Sequence, residues 1–531
     1  MAAHELEADL AHRRSRRVRV REARGTRGEP PVTTHAEQPA PAPPRSTAAA
    51  AANGTRWTVV AMIVRQFGRL GFAVVLARLL GPTDFGVAAA ATVYISLTAV
   101  LLEAGLSSSI VQKPDLRPQD EGVTFWTLAA IGLAMAGATV LFSDEIAGFL
   151  DVPDLGPVLI ALAASPVLKG VSNVAAAKLQ RNLRFRAMAV TEIAGTLLGG
   201  AIGVVAAEFG MRYWALVVQQ VGTDLIVLVF WFAAAGLPKI AVDKEAWKYL
   251  RVFGLPLVGA QLIGYAARNV DNVVVSRFLG QTALSYYTVP YRIMLIPVSL
   301  LGNVANRVAF PVFAKVQDDV ARVRSVFLRI TGVIALVALP SMLGVAVLAP
   351  DFVETVFGAQ WLPSAPVVTA LAVTGVLQSL TTPGGSVFMG LGRADVSLRW
   401  AWIPLTLMVP AFFLGLPWGV TGVATAYTIA TVVITPFLVR AIGKLAGFGL
   451  GTWILTILPA FISSMPAVAA AWVVHIVLRQ HGVPAIVTLV AGLAVVLAGY
   501  LGFLRLFFPG AFREGLFAAR MLSTGKLLKN S

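Results

Sequence analysis

From Trp57 onward, apolar runs of about 20 residues alternate with short polar breaks. A helix that crosses a bilayer needs about 20 such residues. The pattern therefore predicts spanning helices near 57–78, 85–110, 122–142, 155–177, 187–207, 213–235, 250–276, 283–312, 326–348, 364–390, 396–416, 419–439, 453–478 and 484–506, about fourteen in all. Each helix with its connection uses about 32 residues, which leaves no room for a sizeable soluble domain. Residues 1–55 break the pattern: Arg13 to Arg27 holds eight arginines and one glutamate, and a Pro/Ala run follows. Such a segment cannot bury a core and reads as a disordered basic cytoplasmic tail.

Composition agrees. The 531 residues are 57% hydrophobic and 13% charged, against about 45–50% and about 25% in soluble domains. The chain is an all-α integral membrane protein. Cysteine is absent, which excludes disulfides and thiol chemistry. Three of the five histidines, His4, His12 and His35, fall in the tail, so no histidine metal cluster forms. There is no G-x-x-x-x-G-K-[ST], H-E-x-x-H or G-x-S-x-G motif. No cofactor is expected, and transport is favoured over catalysis. The net charge of +16 points to cytoplasmic loops, anionic lipids or anionic substrates rather than nucleic acid.

Charge also sets orientation. With an even number of spans and both termini in the cytoplasm, the inner loops carry 18 Lys/Arg and the outer loops four: Arg78, Arg212, Arg277 and Arg479. This obeys the positive-inside rule. Asp144, Glu145, Asp151, Asp154, Asp351 and Glu354 fall on the outer side.

The chain also repeats. Residues 60–81 align without gaps on 259–280, with seven of 22 positions identical, including Arg69/Arg268, Arg78/Arg277 and Gly81/Gly280. A weaker echo relates Arg184 to Arg393. The 199-residue offset covers six helices, so both copies share one orientation. Parallel repeats of this kind place a site at their interface near the midplane. The expected organisation is a tail (1–55), two six-helix lobes (56–240 and 241–442), two further helices (443–508) and a C-terminal tail (509–531).

Ionisable residues inside spans are costly and usually face a cavity or a partner. Arg65 and Arg69 share a helix face. Gln261, Tyr265, Arg268 and Asn272 form one polar stripe, and Arg292 lies on another beside Pro290 and Pro297. Guanidinium binds phosphate oxygens bidentately, so these seven residues are candidates for binding an anionic substrate. The competing reading is internal pairing: Arg268 with Asp271, and Arg65 or Arg69 with Glu192 or Asp224. Those three carboxylates are also candidates for a coupling cation. Arg78 and Arg277, at helix ends, read as snorkelling anchors. Gly195, Gly199 and Gly203 have the spacing of close helix packing.

Several segments carry a resemblance: ARLLGPTDFGVAA from Ala77, EAGLSSSIVQ from Glu103, NVDNVVVSRFLG from Asn269, SYYTVPYRIMLIPVSL from Ser285 and RVAFPVFAKVQDD from Arg307. Together they resemble the Wzx-type oligosaccharide flippases of the polysaccharide transporter family. The likeness covers about residues 57–440. It implies two six-helix lobes rocking around a cationic cavity in the bacterial cytoplasmic membrane. It also implies a polyprenyl-pyrophosphate-linked glycan as substrate, with polymerase or glycosyltransferase machinery as partners. The alternatives are a drug or metabolite exporter on the same fold, and a non-transporting scaffold in a polymerase complex. An exporter of organic cations would favour carboxylates over arginines at mid-span.

Overall fold

The computed structural model describes residues 45–103, 110, 117–236, 243, 247, 265, 269–292, 298, 309 and 312–524. The basic tail before residue 45, most of the expected span 250–276 and the later part of the span 283–312 lie outside them. So do Gln261, Arg268 and Pro297.

The described residues are helical nearly throughout, with no strand among them. The elements are α1 (Arg45–Glu103), α2 (Pro118–Leu141), α3 (Ser143–Leu150), α4 (Leu155–Leu162), α5 (Ala164–Arg181), α6 (Phe185–Glu208) and α7 (Trp214–Ala235). Residues 269–292 form α8. There follow α9 (Val320–Val347), α10 (Ala349–Phe357), a 3-10 turn (Ala359–Ser364), α11 (Ala365–Thr381), α12 (Pro383–Gly390), α13 (Ala394–Gly415), α14 (Gly419–Ala446), α15 (Leu450–Gln480), α16 (Ala485–Phe507) and α17 (Pro509–Thr524).

Ten stretches among the described residues are long and apolar enough to cross a membrane. Two of them are too long for one crossing. Ala61–Leu102 has 42 residues, about 63 Å of helix at about 1.5 Å per residue, and the hydrocarbon core is about 30 Å thick. It breaks at Gly81 (φ 76°), followed by Pro82. Asp395–Ala446 has 52 residues and breaks at Leu416–Trp418 and Gly419 (φ 66°).

The chain reversals recur with a period that sequence identity barely marks. Left-handed backbone appears at Gly81 and Gly280, Asp151 and Gly358, Leu183 and Gly392, Gly210 and Gly419, and Gly236 and Gly447. These pairs stand 199, 207, 209, 209 and 211 residues apart. Leu183 is informative because left-handed backbone costs a residue with a Cβ about 1–2 kcal/mol. The turn around it explains why it is kept. Arg184 N donates to Leu179 O at 2.9 Å, and in the second copy Arg393 N donates to Phe388 O at 2.8 Å. Both bonds close the end of a helix and satisfy a carbonyl that would otherwise be orphaned.

Packing within the first half rests on the small residues of α6. A Cβ at Gly203 would stand 2.7 Å from Gln219 Cβ, and one at Gly195 2.6 Å from Val227 Cγ2. Larger residues there would push α6 and α7 apart. The largest core cluster draws on both halves, from Val87, Leu155 and Val217 to Tyr287, Phe313, Phe327, Leu371, Val387 and Ile442.

Candidate functional site: a charged central cavity

A cavity of about 940 Å³ opens among α1, α4, α5, α6, α7 and the end of α8. Its wall carries Arg65 and Arg69 from the first arm of α1, Lys169 from α5 and Arg292 from α8. Glu192 from α6 and Asp224 from α7 oppose them. The rest of the polar lining is neutral, with Thr92, Ser96, Asn173, Gln180, Gln219 and Gln220 among it, and Trp231 adds an aromatic face.

These charges act on one another and on their neighbours. Arg65 Nη1 meets Glu192 Oε2 at 3.0 Å, both half-exposed to the cavity. Asp224 is buried and accepts from Ser165 Oγ at 2.6 Å and from Gln220 Nε2 at 3.0 and 3.1 Å. Arg69 and Lys169 both act electrostatically on Asp224. Arg292 Nη2 reaches across to Thr92 Oγ1 at 3.3 Å and lies within the field of Arg69. Guanidinium groups from two distant parts of the chain thus approach one another. Like charges held together in a low-dielectric setting gain from an anion placed between them. Four cations against two carboxylates leave two positive charges on the wall.

Sequence reasoning placed five of these groups: Arg65, Arg69, Arg292, Glu192 and Asp224. It missed Lys169, although a lysine in the interior of the span Leu155–Arg181 is the signal that marks it. Three other candidates do not line the cavity. Tyr265 is buried and donates its hydroxyl to the Val93 carbonyl. Asn272 Nδ2 donates to Asn269 Oδ1 at 3.3 Å. Asp271 is buried, accepting from Tyr287 Oη at 3.0 Å and from the Asn272 amide at 2.8 Å. The polar stripe on this helix is therefore partly spent on packing in its described members. Gln261 and Arg268 lie outside the described residues.

Beside Phe85 of the cavity wall, the first half of the chain bonds to the second. Arg78, at the end of the first arm of α1, was expected to snorkel. Instead Arg78 Nε donates to the Val356 carbonyl at 2.7 Å, and its Nη2 donates to the Thr355 carbonyl. Those carbonyls lie near the end of α10, where no helical partner remains for them. Trp361 Nε1 donates to Ala77 O at 2.9 Å, and Gln360 Nε2 to Arg78 O at 3.2 Å. Trp361 is fully buried, edge-on to Phe85 and Tyr286. Arg277, the repeat partner of Arg78, lies over Phe278 at 6.0 Å. Next to Phe85 in sequence, Asp84 is gripped by Arg212 through two bonds of 2.8 and 3.1 Å. These bonds raise the guanidinium above its ordinary value.

Residues 75–366, more than half of the chain, match the model of the family described as polysaccharide biosynthesis protein. The chain belongs to that family. Relatives within reach of the polysaccharide biosynthesis family include the lipopolysaccharide biosynthesis protein WzxC of Escherichia coli (strain K12), 27% identical over 433 residues, covering 80% of this chain and 88% of WzxC. The succinoglycan biosynthesis transport protein ExoT of Rhizobium meliloti (strain 1021) is 27% identical over 438 residues, covering 79% and 86%. The fold is that of a solved lipid II flippase, MurJ in an inward closed conformation, with a TM-score of 0.70, 15% identity and coverage of 85% of this chain and 98% of that one. It is shared with a multidrug resistance MATE transporter in an inward-facing conformation, with a TM-score of 0.58, 16% identity and coverage of 74% and 99%. The polysaccharide biosynthesis family member described here is thus a multi-pass, all-α membrane transporter.

Proposed function

We propose that this transporter flips a polyprenyl-pyrophosphate-linked oligosaccharide from the inner to the outer leaflet of the cytoplasmic membrane for polysaccharide export. One observation carries the reading: Arg65, Arg69, Lys169 and Arg292 surround a single cavity of about 940 Å³ whose only opposing charges, among the described lining residues, are Glu192 and Asp224. A pyrophosphate diester carries two ionised oxygens. The two uncompensated positive charges match it, and the guanidinium forks suit phosphate geometry. The amides, hydroxyls and Trp231 around the charges suit a glycan, since sugar hydroxyls need partners and sugar faces pack on aromatic rings. A site built for organic cations would invert this balance.

In this reading the first half and the second half are two lobes, 56–240 and 241–442, that rock about the cavity. The junction at Arg78, Gln360 and Trp361 is the closed outer face, and both termini are cytoplasmic. The polymerase or glycosyltransferase machinery is the source and destination of the substrate.

Charge arithmetic separates substrate binding from ion coupling. Protonating Glu192 or Asp224 makes the cavity more positive and strengthens its hold on an anion. A proton arriving from outside would then retain the substrate rather than release it. These two carboxylates therefore serve as resident counter-charges, which the pyrophosphate displaces from Arg65 and Arg69. Asp271 is the better coupling candidate, because it is buried away from the cavity lining with neutral donors on its oxygens.

The test is accumulation of the lipid-linked glycan. Cells lacking this chain should build up lipid-linked oligosaccharide on the inner leaflet and lose the exported polymer, and restoring the chain should reverse both. Normal export without the chain would overturn the reading.

A further inference from the structure

The last helix folds back on the second half. α17 follows α16 after a single residue, Phe508, and Ala511 and Phe512 pack on the cluster of Ala467, Tyr500 and Leu504. Arg329 Nε of α9 meets Glu514 Oε1 of α17 at 3.0 Å, and its guanidinium lies over the Phe517 ring at 5.7 Å.

Between α9, α15 and α17 lies a second cavity, of about 500 Å³. Its lining is graded. Ser325, Arg329 and Glu514 stand at one end. Leu336, from the same stripe of α9 as Arg329, stands seven residues further on, about 10 Å along the helix. Leu455 and Pro459 of α15 complete the apolar part, and Leu455 is 67% exposed, so this wall opens sideways. Depth fits as well. α9 has 28 residues, about 42 Å of helix, against a hydrocarbon core of about 30 Å. With the break to α10 marking one boundary, Arg329 falls near the other, at headgroup level.

We infer that this cavity binds an aminophospholipid, with its phosphate on Arg329, its ammonium on Glu514 and an acyl chain along Leu336 and Leu455. The mouth presents one cation and one carboxylate 3.0 Å apart, which is the complement of a phosphoethanolamine zwitterion. An anionic glycerol headgroup would meet Arg329 but offer the Glu514 carboxylate only neutral hydroxyls, without the positive charge of an ammonium. A choline headgroup has no N–H to donate. The inference does not depend on the flippase reading.

The test is native mass spectrometry of the delipidated full-length protein with phosphatidylethanolamine, phosphatidylglycerol or phosphatidylcholine at equal concentration. Phosphatidylethanolamine should bind about fivefold better than either alternative, the scale of one charge at a membrane surface. Glu514→Gln should abolish that preference, and Arg329→Gln should weaken all three lipids. Either change also removes a tie that holds α17, so a third variant leaves the ion pair alone. At Gly332 a Cβ meets only Thr456 Cγ2, at 3.4 Å. Gly332→Leu must therefore place its side chain in the cavity, and it should expel the lipid while the thermal midpoint holds. Equal binding of the three lipids by the unaltered protein, or full retention by Gly332→Leu, would overturn the inference.

Discussion

The hydroxyl of Thr282 donates to that of Thr83 over 3.4 Å, a long bond between residues 199 positions apart. That spacing is the offset at which residues 60–81 align on 259–280. The two copies of the repeat therefore meet at equivalent positions, as elements related by a two-fold axis do where they cross it. Close by, a Cβ on Gly86 would collide with the Gln281 carbonyl. The contact needs a glycine at that point because backbone meets backbone.

Gly86→Val should hold this face open. The protein lacks cysteine, so a cysteine placed at Thr83 reports directly. In the Gly86→Val background it should react with an impermeant thiol reagent several times faster than in the parent. Equal rates would show that this contact does not close the cavity.

Orientation has its own test. A cysteine at Asp151, the left-handed residue after α3, should label from outside intact cells. One at Arg322, in the first turn of α9, should not. Reversed labelling would place the termini on the opposite side and the closed face in the cytoplasm.

Asp271→Asn keeps an acceptor for Tyr287 and removes the charge. The protein should fold, and its transport should no longer respond to an imposed proton or sodium gradient. A response equal to that of the parent would remove Asp271 from coupling.

The two helices beyond the repeat, α15 and α16, are tied to α10. Asp351 is fully buried; its Oδ1 forms an ion pair with Arg479 Nε at 3.1 Å and its Oδ2 is hydrogen-bonded to His475, while Arg479 also pairs with Glu354. Arg479→Ala should lower the thermal midpoint. The loss should fall below the about 3–5 kcal/mol typical of a broken buried pair, because Arg479 is 33% exposed and His475 remains. An unchanged midpoint would show that the network does not stabilise the junction.

Much of the helical layout was legible because spanning a bilayer forces about 20 apolar residues into each crossing, whatever they pack against. The cavity was legible in part for the same reason: Arg65, Arg69 and Arg292 stand out where a charge is costly. Other features depend on partners far along the chain. Arg78 resembles a snorkelling anchor until α10, 278 residues away, offers it the Val356 carbonyl. Tyr265 and Asn272 sit on a polar stripe, but a stripe does not say whether it faces water or a neighbour's carbonyl. Leu183 hid one turn of the repeat, since nothing in a leucine announces the left-handed backbone that Gly392 adopts in the second copy.

The central claim is that the arginines of the cavity carry the anionic group of a lipid-linked glycan. The most direct measurement is flipping of a fluorescent polyprenyl-pyrophosphate oligosaccharide in proteoliposomes that contain the purified protein, read by quencher accessibility. The parent should move the lipid between leaflets. Arg69→Ala and Arg292→Ala should each slow it about 10- to 100-fold, the scale of a lost charge-assisted hydrogen bond of about 1.5–3 kcal/mol. Lysine at either position should restore only part of the rate, because it lacks the bidentate fork. Flipping at the parental rate by well-folded Arg69→Ala and Arg292→Ala would contradict the account.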